Sequence, residues 1–95
     1  GDLQPASVAG RVLVVDDNRD AADSLAMLVR AAGGETRAVY DGLSALAEVR
    51  SWRPSVVFLD LGMPGLDGYA VATRLRSEPQ FQEVFLVAVT GWGQE

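Results

Sequence analysis

The sequence predicts an α/β fold built on an open parallel sheet, and three observations support it. Short, continuous apolar runs typical of buried strands alternate with segments of helical periodicity along the whole chain. The length of 95 residues fits one domain or part of one, and a hydrophobic fraction of 48% predicts a real core. Alternating strands and helices are typical of βαβ units, whose right-handed crossovers keep the strands parallel.

The first strand is predicted over residues 11–15, a continuous apolar run that ends on Asp16 and Asp17. Because polar residues do not alternate within it, both of its faces are expected to be buried. A helix is predicted after Asn18, where apolar residues recur at steps of three and four until the glycine pair at 33–34 stops them. These apolar positions are Ala22, Leu25, Leu28, Val29 and Ala32.

A weaker strand is predicted over residues 36–40, and Asp41 follows it as a helix N-cap. The second helix is expected to turn Leu43, Leu46 and Val49 inward. Pro54 then restarts the chain before the next apolar run.

The third strand is predicted over residues 55–59 and ends on Asp60. Residues 61–68 contain three glycines and Pro64, so they predict a loop with special backbone requirements. The third helix is predicted from the spacing of Tyr69, Ala72 and Leu75 or Arg76, and Pro79 closes it. A further strand over residues 84–89 ends on Thr90.

Composition excludes several kinds of site. The chain has no Cys and no His, which removes disulfides, thiol nucleophiles, zinc clusters and imidazole acid–base chemistry. All eight basic residues are arginines, and 13 acidic residues bring the net charge to -5, which disfavours direct nucleic-acid binding. Any metal must be held by oxygen ligands, which favours Mg²⁺ or Ca²⁺.

The ends of the chain and its hydropathy give two further expectations. Residues 1–10 are small, polar and aperiodic, so they are predicted to form a tail or linker. No apolar stretch approaches the roughly 18 residues that span a bilayer, and no signal region opens the chain. A cytoplasmic location is therefore expected.

The acidic strand ends predict a metal site. In a parallel sheet the carboxyl ends of the strands share one edge, where ligands bind, so Asp16, Asp17 and Asp60 are expected to meet there. Close carboxylates repel one another unless a cation compensates. Mg²⁺ is the natural partner, since it takes one or two carboxylates, waters and phosphate oxygens. A carboxylate is also a known covalent phosphoryl acceptor.

Three segments together resemble the receiver domain of two-component response regulators. They are Val14-Val15-Asp16-Asp17-Asn18, then Leu59-Asp60-Leu61-Gly62-Met63-Pro64-Gly65-Leu66-Asp67-Gly68, and Ala88-Val89-Thr90-Gly91. The resemblance covers residues 11–95 and implies a doubly wound, flavodoxin-like sheet of strand order 2-1-3-4-5. It also implies a histidine kinase or histidine phosphotransfer domain as partner.

The resemblance implies a role for each site residue. Asp60 would accept the phosphoryl group, and Thr90 would be the switch residue whose hydroxyl turns to the phosphoryl oxygens. Asp17 would bind Mg²⁺ directly, Asp16 would act mainly through water, and the main-chain carbonyl of Gly62 would supply another ligand. A receiver domain is not a turnover enzyme by itself.

Two departures from the family pattern change the expectations. Gly62 stands where Asn or Asp is frequent, which puts the dephosphorylation rate in question. The family's lysine lies in a strand after the threonine strand, and this sequence has no Lys. The resemblance thus predicts a receiver over residues 11–95 that stops before its last strand and helix. Its exposed edge strand over residues 84–89 would then favour self-association.

Other functions remain as alternatives. One is a pseudo-receiver, an interaction module without phosphotransfer. A weaker one is a phosphohydrolase with Asp60 as nucleophile, since such enzymes carry an acid–base Asp where this chain has Gly62. A P-loop nucleotide site is weaker still, because the sequence has no Gly-x-x-x-x-Gly-Lys run. The parent protein could be a stand-alone regulator or a hybrid histidine kinase, and the Thr-Gly-Trp-Gly-Gln run favours the second.

Overall fold

Four strands and three helices alternate in the computed structural model, which describes residues 10–63 and 68–89. The strands are β1 (Arg11–Val15), β2 (Glu35–Val39), β3 (Val56–Asp60) and β4 (Phe85–Val89). The helices are α1 (Arg19–Ala31), α2 (Gly42–Trp52) and α3 (Gly68–Arg76), and a short 3₁₀ turn covers Pro79–Phe81. This order confirms the predicted alternation of strands and helices.

The strands form one parallel sheet of order β2-β1-β3-β4. This order confirms the predicted doubly wound, flavodoxin-like arrangement for the four strands within the described residues. In the register of the sheet, Val15 lies opposite Leu59, and Asp60 lies opposite Val89. The ends of β1 and β3 therefore reach the same edge at the same level.

The two faces of the sheet carry clusters of unequal size. Leu13 and Val15 of β1 point to the face covered by α2 and α3, where they join a large buried cluster with residues such as Val57 and Leu59. Val14 points to the opposite face, where its buried cluster, counted over the described residues, contains Ala22 and Ala26 besides it. This alternation is the period-2 pattern of a strand buried on both faces, as predicted for β1.

Side-chain caps fix the starts of two helices, and the sequence predicted the second of them, Asp41. The Asn18 side chain accepts a hydrogen bond from the main-chain N–H of Ala21 at 3.0 Å. Asp41 accepts one from the main-chain N–H of Ser44 at 2.7 Å. The hydrogen bonds from Ser44 hold the pKa of Asp41 below its ordinary value. Both caps supply acceptors for N–H groups that the first helical turn leaves unpaired.

The inward face predicted for α2 was partly wrong. Leu46 and Val49 are buried, but Leu43 is 71% exposed. The buried stripe of the helix instead runs through Ala45, Leu46, Val49 and Trp52. Each residue advances a helix by about 100°, so Leu43 lies about 120° or more around the helix axis from the centre of that stripe. The second strand also begins one residue earlier than predicted, at Glu35.

A search of the described helices found none with the length and hydropathy required to cross a bilayer.

Candidate functional site

Three carboxylates meet at the carboxyl edge of the sheet. Asp16, Asp17 and Asp60 each place an oxygen within 4.8 Å of the others, as their strand-end positions predicted. Their burial is graded, since Asp60 is 4% exposed, Asp16 is intermediate and Asp17 is exposed. The cluster therefore extends from a solvent-exposed carboxylate, Asp17, to a buried one, Asp60.

Backbone hydrogen bonds set the positions of these residues. The N–H of Asp16 bonds to the carbonyl of Val39 in β2 at 3.2 Å, and the N–H of Leu61 bonds to the carbonyl of Val89 in β4 at 3.0 Å. β1 and β3 lie between these two strands. The carboxyl ends of β1 and β3 are thus held by hydrogen bonds to the strands that flank them, β2 and β4.

A main-chain amide also holds one oxygen of each inner carboxylate. Oδ1 of Asp60 accepts the N–H of Gly62 at 2.9 Å. Oδ1 of Asp16 accepts the N–H of Asn18 at 3.0 Å. In both cases the donor lies two residues after the aspartate, in the manner of an Asx turn. The local chain therefore orients each carboxylate.

The cluster is electrostatically unfavourable without a cation. Burial raises the pKa of Asp16 above its ordinary value of 3.8, and repulsion from the Asp60 and Asp17 carboxylates raises it further. The hydrogen bond from the Asn18 amide opposes this effect. Because the chain has neither Lys nor His, a metal ion is the charge partner that this group of carboxylates fits best.

The spacing suits a small, hard ion. With bonds of about 2.1 Å, two ligand oxygens of an octahedral Mg²⁺ lie about 3 Å apart at neighbouring positions and about 4.2 Å apart across the ion. The three carboxylate oxygens, all within 4.8 Å of one another, surround a space of this order and would draw closer around a bound ion. Asp16, Asp17 and Asp60 therefore fit the donor set that such an ion requires.

Of the other two predicted site residues, Gly62 lies within the described residues and Thr90 does not. Gly62 lies beside Asp60 and is exposed, and a methyl group built on it would meet only Oδ1 of Asp60, at 3.6 Å. That is an ordinary contact, so the site has room for a side chain at this position. Thr90 lies outside the described residues, directly after the Val89 that pairs with Asp60. Its switch role stays a prediction.

One residue near the site was not predicted. Gly68 was placed at the end of the loop, but it is the first residue of α3 and is buried. A methyl group built on it would lie 2.2 Å from the carbonyl oxygen of Asp60. The glycine in the motif was the available signal, but its neighbour could not be read from sequence spacing.

Comparison with known families agrees with this geometry. A family model described as the response regulator receiver domain matches residues 12–95. The chain belongs to the response regulator receiver domain family. This result confirms the predicted resemblance.

Known relatives share both sequence and fold with this receiver domain. It is 41% identical to the DNA-binding response regulator MtrA of Mycobacterium tuberculosis over 80 residues, which are 84% of this chain and 35% of that protein. NtrX from Brucella abortus is 38% identical, with a TM-score of 0.81 that covers 90% of this chain and 20% of that one. The chain spans about a third of the length of the curated relatives such as MtrA.

A third relative comes from a sensor protein. The signal receiver domain of a signal transduction histidine kinase from Syntrophus aciditrophicus is 29% identical, with a TM-score of 0.81. That match covers 86% of this chain and 62% of the solved one. Receiver domains similar to this one therefore occur both in DNA-binding regulators and in a histidine kinase.

Proposed function

We propose that this receiver domain accepts a phosphoryl group on Asp60 from a histidine kinase or a histidine phosphotransfer domain. The observation that carries the proposal is the grouping of buried Asp60 with Asp16 and Asp17 at the carboxyl edge of the sheet. A carboxylate beside a cation site can act as a covalent phosphoryl acceptor. Membership of the receiver family supports the same conclusion.

The reaction is a displacement at phosphorus. A carboxylate oxygen of Asp60 forms the new O–P bond, the N–P bond of the phosphohistidine breaks, and its electron pair stays on the imidazole. The product is an acyl phosphate. The amide of Gly62, which already holds Oδ1 of Asp60, keeps the nucleophile oriented. The protein's contribution is mainly positioning and charge stabilisation, as in phosphoryl transfer generally.

Mg²⁺ is the cation we assign to this reaction. Asp17 would bind it directly and Asp16 mainly through water, with Asp60 and the main-chain carbonyl of Gly62 as further ligands. When bound, the ion would neutralise charge on the phosphoryl oxygens and on the clustered carboxylates. The hydroxyl of Thr90 would then turn to the phosphoryl oxygens as the conformational switch.

Phosphorylation can be tested directly. The chain is incubated with a small phosphodonor and Mg²⁺, and its intact mass is measured. We expect a phosphoryl adduct that base and hydroxylamine remove, as they do from an acyl phosphate, and that does not form when Mg²⁺ is chelated beforehand. Asp60→Asn should abolish the adduct, whereas Asp20→Asn, an exposed residue in the first turn of α1, should not. An adduct formed on Asp60→Asn at the original rate would contradict the assignment.

The same experiment tests the alternatives. A chain that binds Mg²⁺ without gaining phosphate would behave as a pseudo-receiver, that is, an interaction module. Steady release of phosphate over many turnovers would indicate a phosphohydrolase. Gly62 disfavours the second outcome, because it offers no acid–base side chain two residues after Asp60.

The proposal extends to the location of the domain, its boundaries and its parent protein. We propose a cytoplasmic location, residues 1–10 as a tail or linker, and residues 11–95 as the receiver. Residues 1–9 lie outside the described residues. The net charge of -5 supports a domain that does not contact DNA itself. Regulator and hybrid-kinase parents both stay open, and the histidine-kinase relative supports the second.

The exposed edge of the sheet supports self-association. Within the described residues β4 is the last strand of the sheet, and its Phe85 is 65% exposed. An unpaired apolar edge is a template for pairing with another chain. We expect sedimentation velocity to show association that rises with concentration and that Phe85→Lys weakens. Tyr69→Lys, equally exposed but on α3, is the control, and a concentration-independent monomer would contradict the proposal.

A further inference from the structure

The first residue of α3 packs directly on the backbone of the proposed phosphoacceptor. A methyl group built on Gly68 would lie 2.2 Å from the carbonyl oxygen of Asp60 and 2.6 Å from the α-carbon of Leu61. Real side-chain carbons do not approach backbone atoms so closely, so either the helix or the Asp60–Leu61 peptide must move if a side chain is added. Gly62 differs, since a methyl group there meets only Oδ1 of Asp60, at an ordinary 3.6 Å.

The helix is the better anchored of the two. Val71 and Leu75 of α3 are both fully buried in the large core cluster, together with Leu59 of β3. Moving α3 outward would open space in a close-packed core, which is costly. Asp60 itself is held in register with Val89. Leu61 is half-buried and Gly62 is exposed, so an added side chain would mainly displace the peptide between residues 60 and 62.

The geometry points to Gly68 as a positioning residue for phosphoryl transfer to Asp60. The lack of a side chain at position 68 lets α3 support the Asp60–Leu61 peptide from one side, while Leu61 bonds to Val89 on the other. That peptide leads directly to Gly62, whose amide orients the Asp60 carboxylate. This inference rests on the proposed function of Asp60, and it assigns to α3 a part in setting the nucleophile's orientation.

Gly68→Ala should therefore lower the phosphorylation rate of Asp60 by more than a loss of folding stability alone would. A displacement of about 1 Å in a reacting group can cost on the order of 100-fold in rate, so we expect the phosphorylation rate constant to fall about 10- to 100-fold. The Mg²⁺ affinity should fall as well. Val71→Ala is the matched control, because it removes core packing from the same helix at a residue buried in the large core cluster.

The test has three measurements on folded protein at low temperature. Main-chain NMR shifts of Leu61 and Gly62 are recorded without metal, Mg²⁺ affinity is measured by calorimetry, and the phosphorylation rate is followed at saturating donor. All three should change in Gly68→Ala and stay near their original values in Val71→Ala. Equal changes in the two variants, or none in Gly68→Ala, would overturn the inference.

Two further outcomes are distinguishable. If the unsubstituted chain neither binds Mg²⁺ nor is phosphorylated, the proposed function fails, while the metal-free NMR shifts still decide the role of Gly68. If Gly68→Ala does not fold, the unsubstituted chain is titrated with Mg²⁺. The amide of Gly68 should then shift with the same midpoint as that of Gly62, and a Gly68 resonance that stays fixed would contradict the inference.

Discussion

The two ends of the sheet handle charge in opposite ways. At the carboxyl end, Asp16, Asp17 and Asp60 lie close together. At the amino end, the positive charges find partners within the chain. The Arg11 guanidinium lies 5.6 Å from the centre of the Trp52 ring and donates a hydrogen bond to the Trp52 carbonyl. Within residues 10–63 and 68–89, the three carboxylates at the acidic end have no ion-pair partner comparable to those of the basic end.

Other arginines extend this pattern at the amino end. Arg37 lies 4.6 Å from the Trp52 ring centre and pairs with Glu48 at 2.9 Å. Arg76 donates hydrogen bonds to the carbonyls of Phe81, Gln82 and Val84, just before β4 begins. The amino end of the sheet is therefore built for stability, whereas the carboxyl end keeps a repulsion that an external cation would relieve. Such local instability is a common cost of a functional site.

Removal of a metal ligand should give the largest effect. Asp17→Ala is expected to lower Mg²⁺ affinity by about 100-fold, since even residues that only orient a ligand are worth about 10- to 100-fold. Asp17 is exposed, so the fold should tolerate the change. Calorimetric titration measures the effect, with Asp20→Ala as control. Identical titration curves for Asp17→Ala and the original chain would show that the acidic end is not a metal site.

Loss of an internally paired arginine should destabilise the fold without affecting metal binding. Arg76→Ala removes hydrogen bonds from a charged donor to three carbonyls, and we expect a loss of about 1.5–3 kcal/mol in unfolding free energy. Urea unfolding followed by circular dichroism measures it. Arg74→Ala removes the same charge from the last turn of the same helix and should cost much less. Equal losses would mean that net charge, rather than these bonds, matters.

Relief of the acidic repulsion should stabilise the metal-free protein. Asp16→Asn keeps an acceptor for the Asn18 amide but removes one charge, so unfolding free energy should rise by about 0.2–1 kcal/mol at neutral pH. The pKa of Asp16 is raised in the folded state, so the folded state holds its proton longer than the unfolded state does. The free energy of unfolding of the original chain therefore falls as pH rises from 3.8, the ordinary pKa of Asp16, to its raised pKa in the folded state.

The pH dependence gives a control for the same variant. The stability difference between Asp16→Asn and the original chain should be small below pH 3.8, the ordinary value for Asp16, and should grow as pH rises. Thermal melts across pH without metal measure it. With Mg²⁺ present the sign should reverse, because the variant loses a ligand. A stabilisation that does not depend on pH would contradict the electrostatic explanation.

The smallest effect on the acidic end is expected from a change at the surface of the amino end. Arg37→Ala removes an exposed ion pair, worth about 0.2–1 kcal/mol, and a ring contact, worth about 0.5–1 kcal/mol. Chemical unfolding at low and high salt should separate the two, since only the ion pair is screened. Mg²⁺ affinity should not change. A change in Mg²⁺ affinity would show that the two ends are coupled.

The sequence predicted the acidic end better than the basic end, and the physical reason is clear. Asp16 and Asp60 follow continuous apolar strands, and parallel strands bring their carboxyl ends to one edge whatever the details of packing. Arginine side chains are long, so their partners are chosen by tertiary structure. Arg11 and Trp52 are 41 residues apart, and no spacing rule connects them.

Helix faces and close contacts were harder to predict for a different reason. The exposed position of Leu43 depends on the phase of α2 against the sheet, and apolar residues on both sides of a short helix leave that phase open. The approach of Gly68 to Asp60 depends on the path of the intervening loop. Glycine indicates that something comes close, but it does not say what.

The strand order also has a consequence for biosynthesis. β1 lies inside the sheet, with β2 on one side and β3 then β4 on the other, so each strand can join the sheet in the order in which the ribosome releases it. Domains generally fold as units, so the sheet is completed only when the last of these strands is available. The carbonyl that anchors Leu61 belongs to Val89 at the end of β4. All three aspartates have therefore been synthesised once β3 is complete, whereas the peptide that follows Asp60 gains its anchor only after β4 has been synthesised.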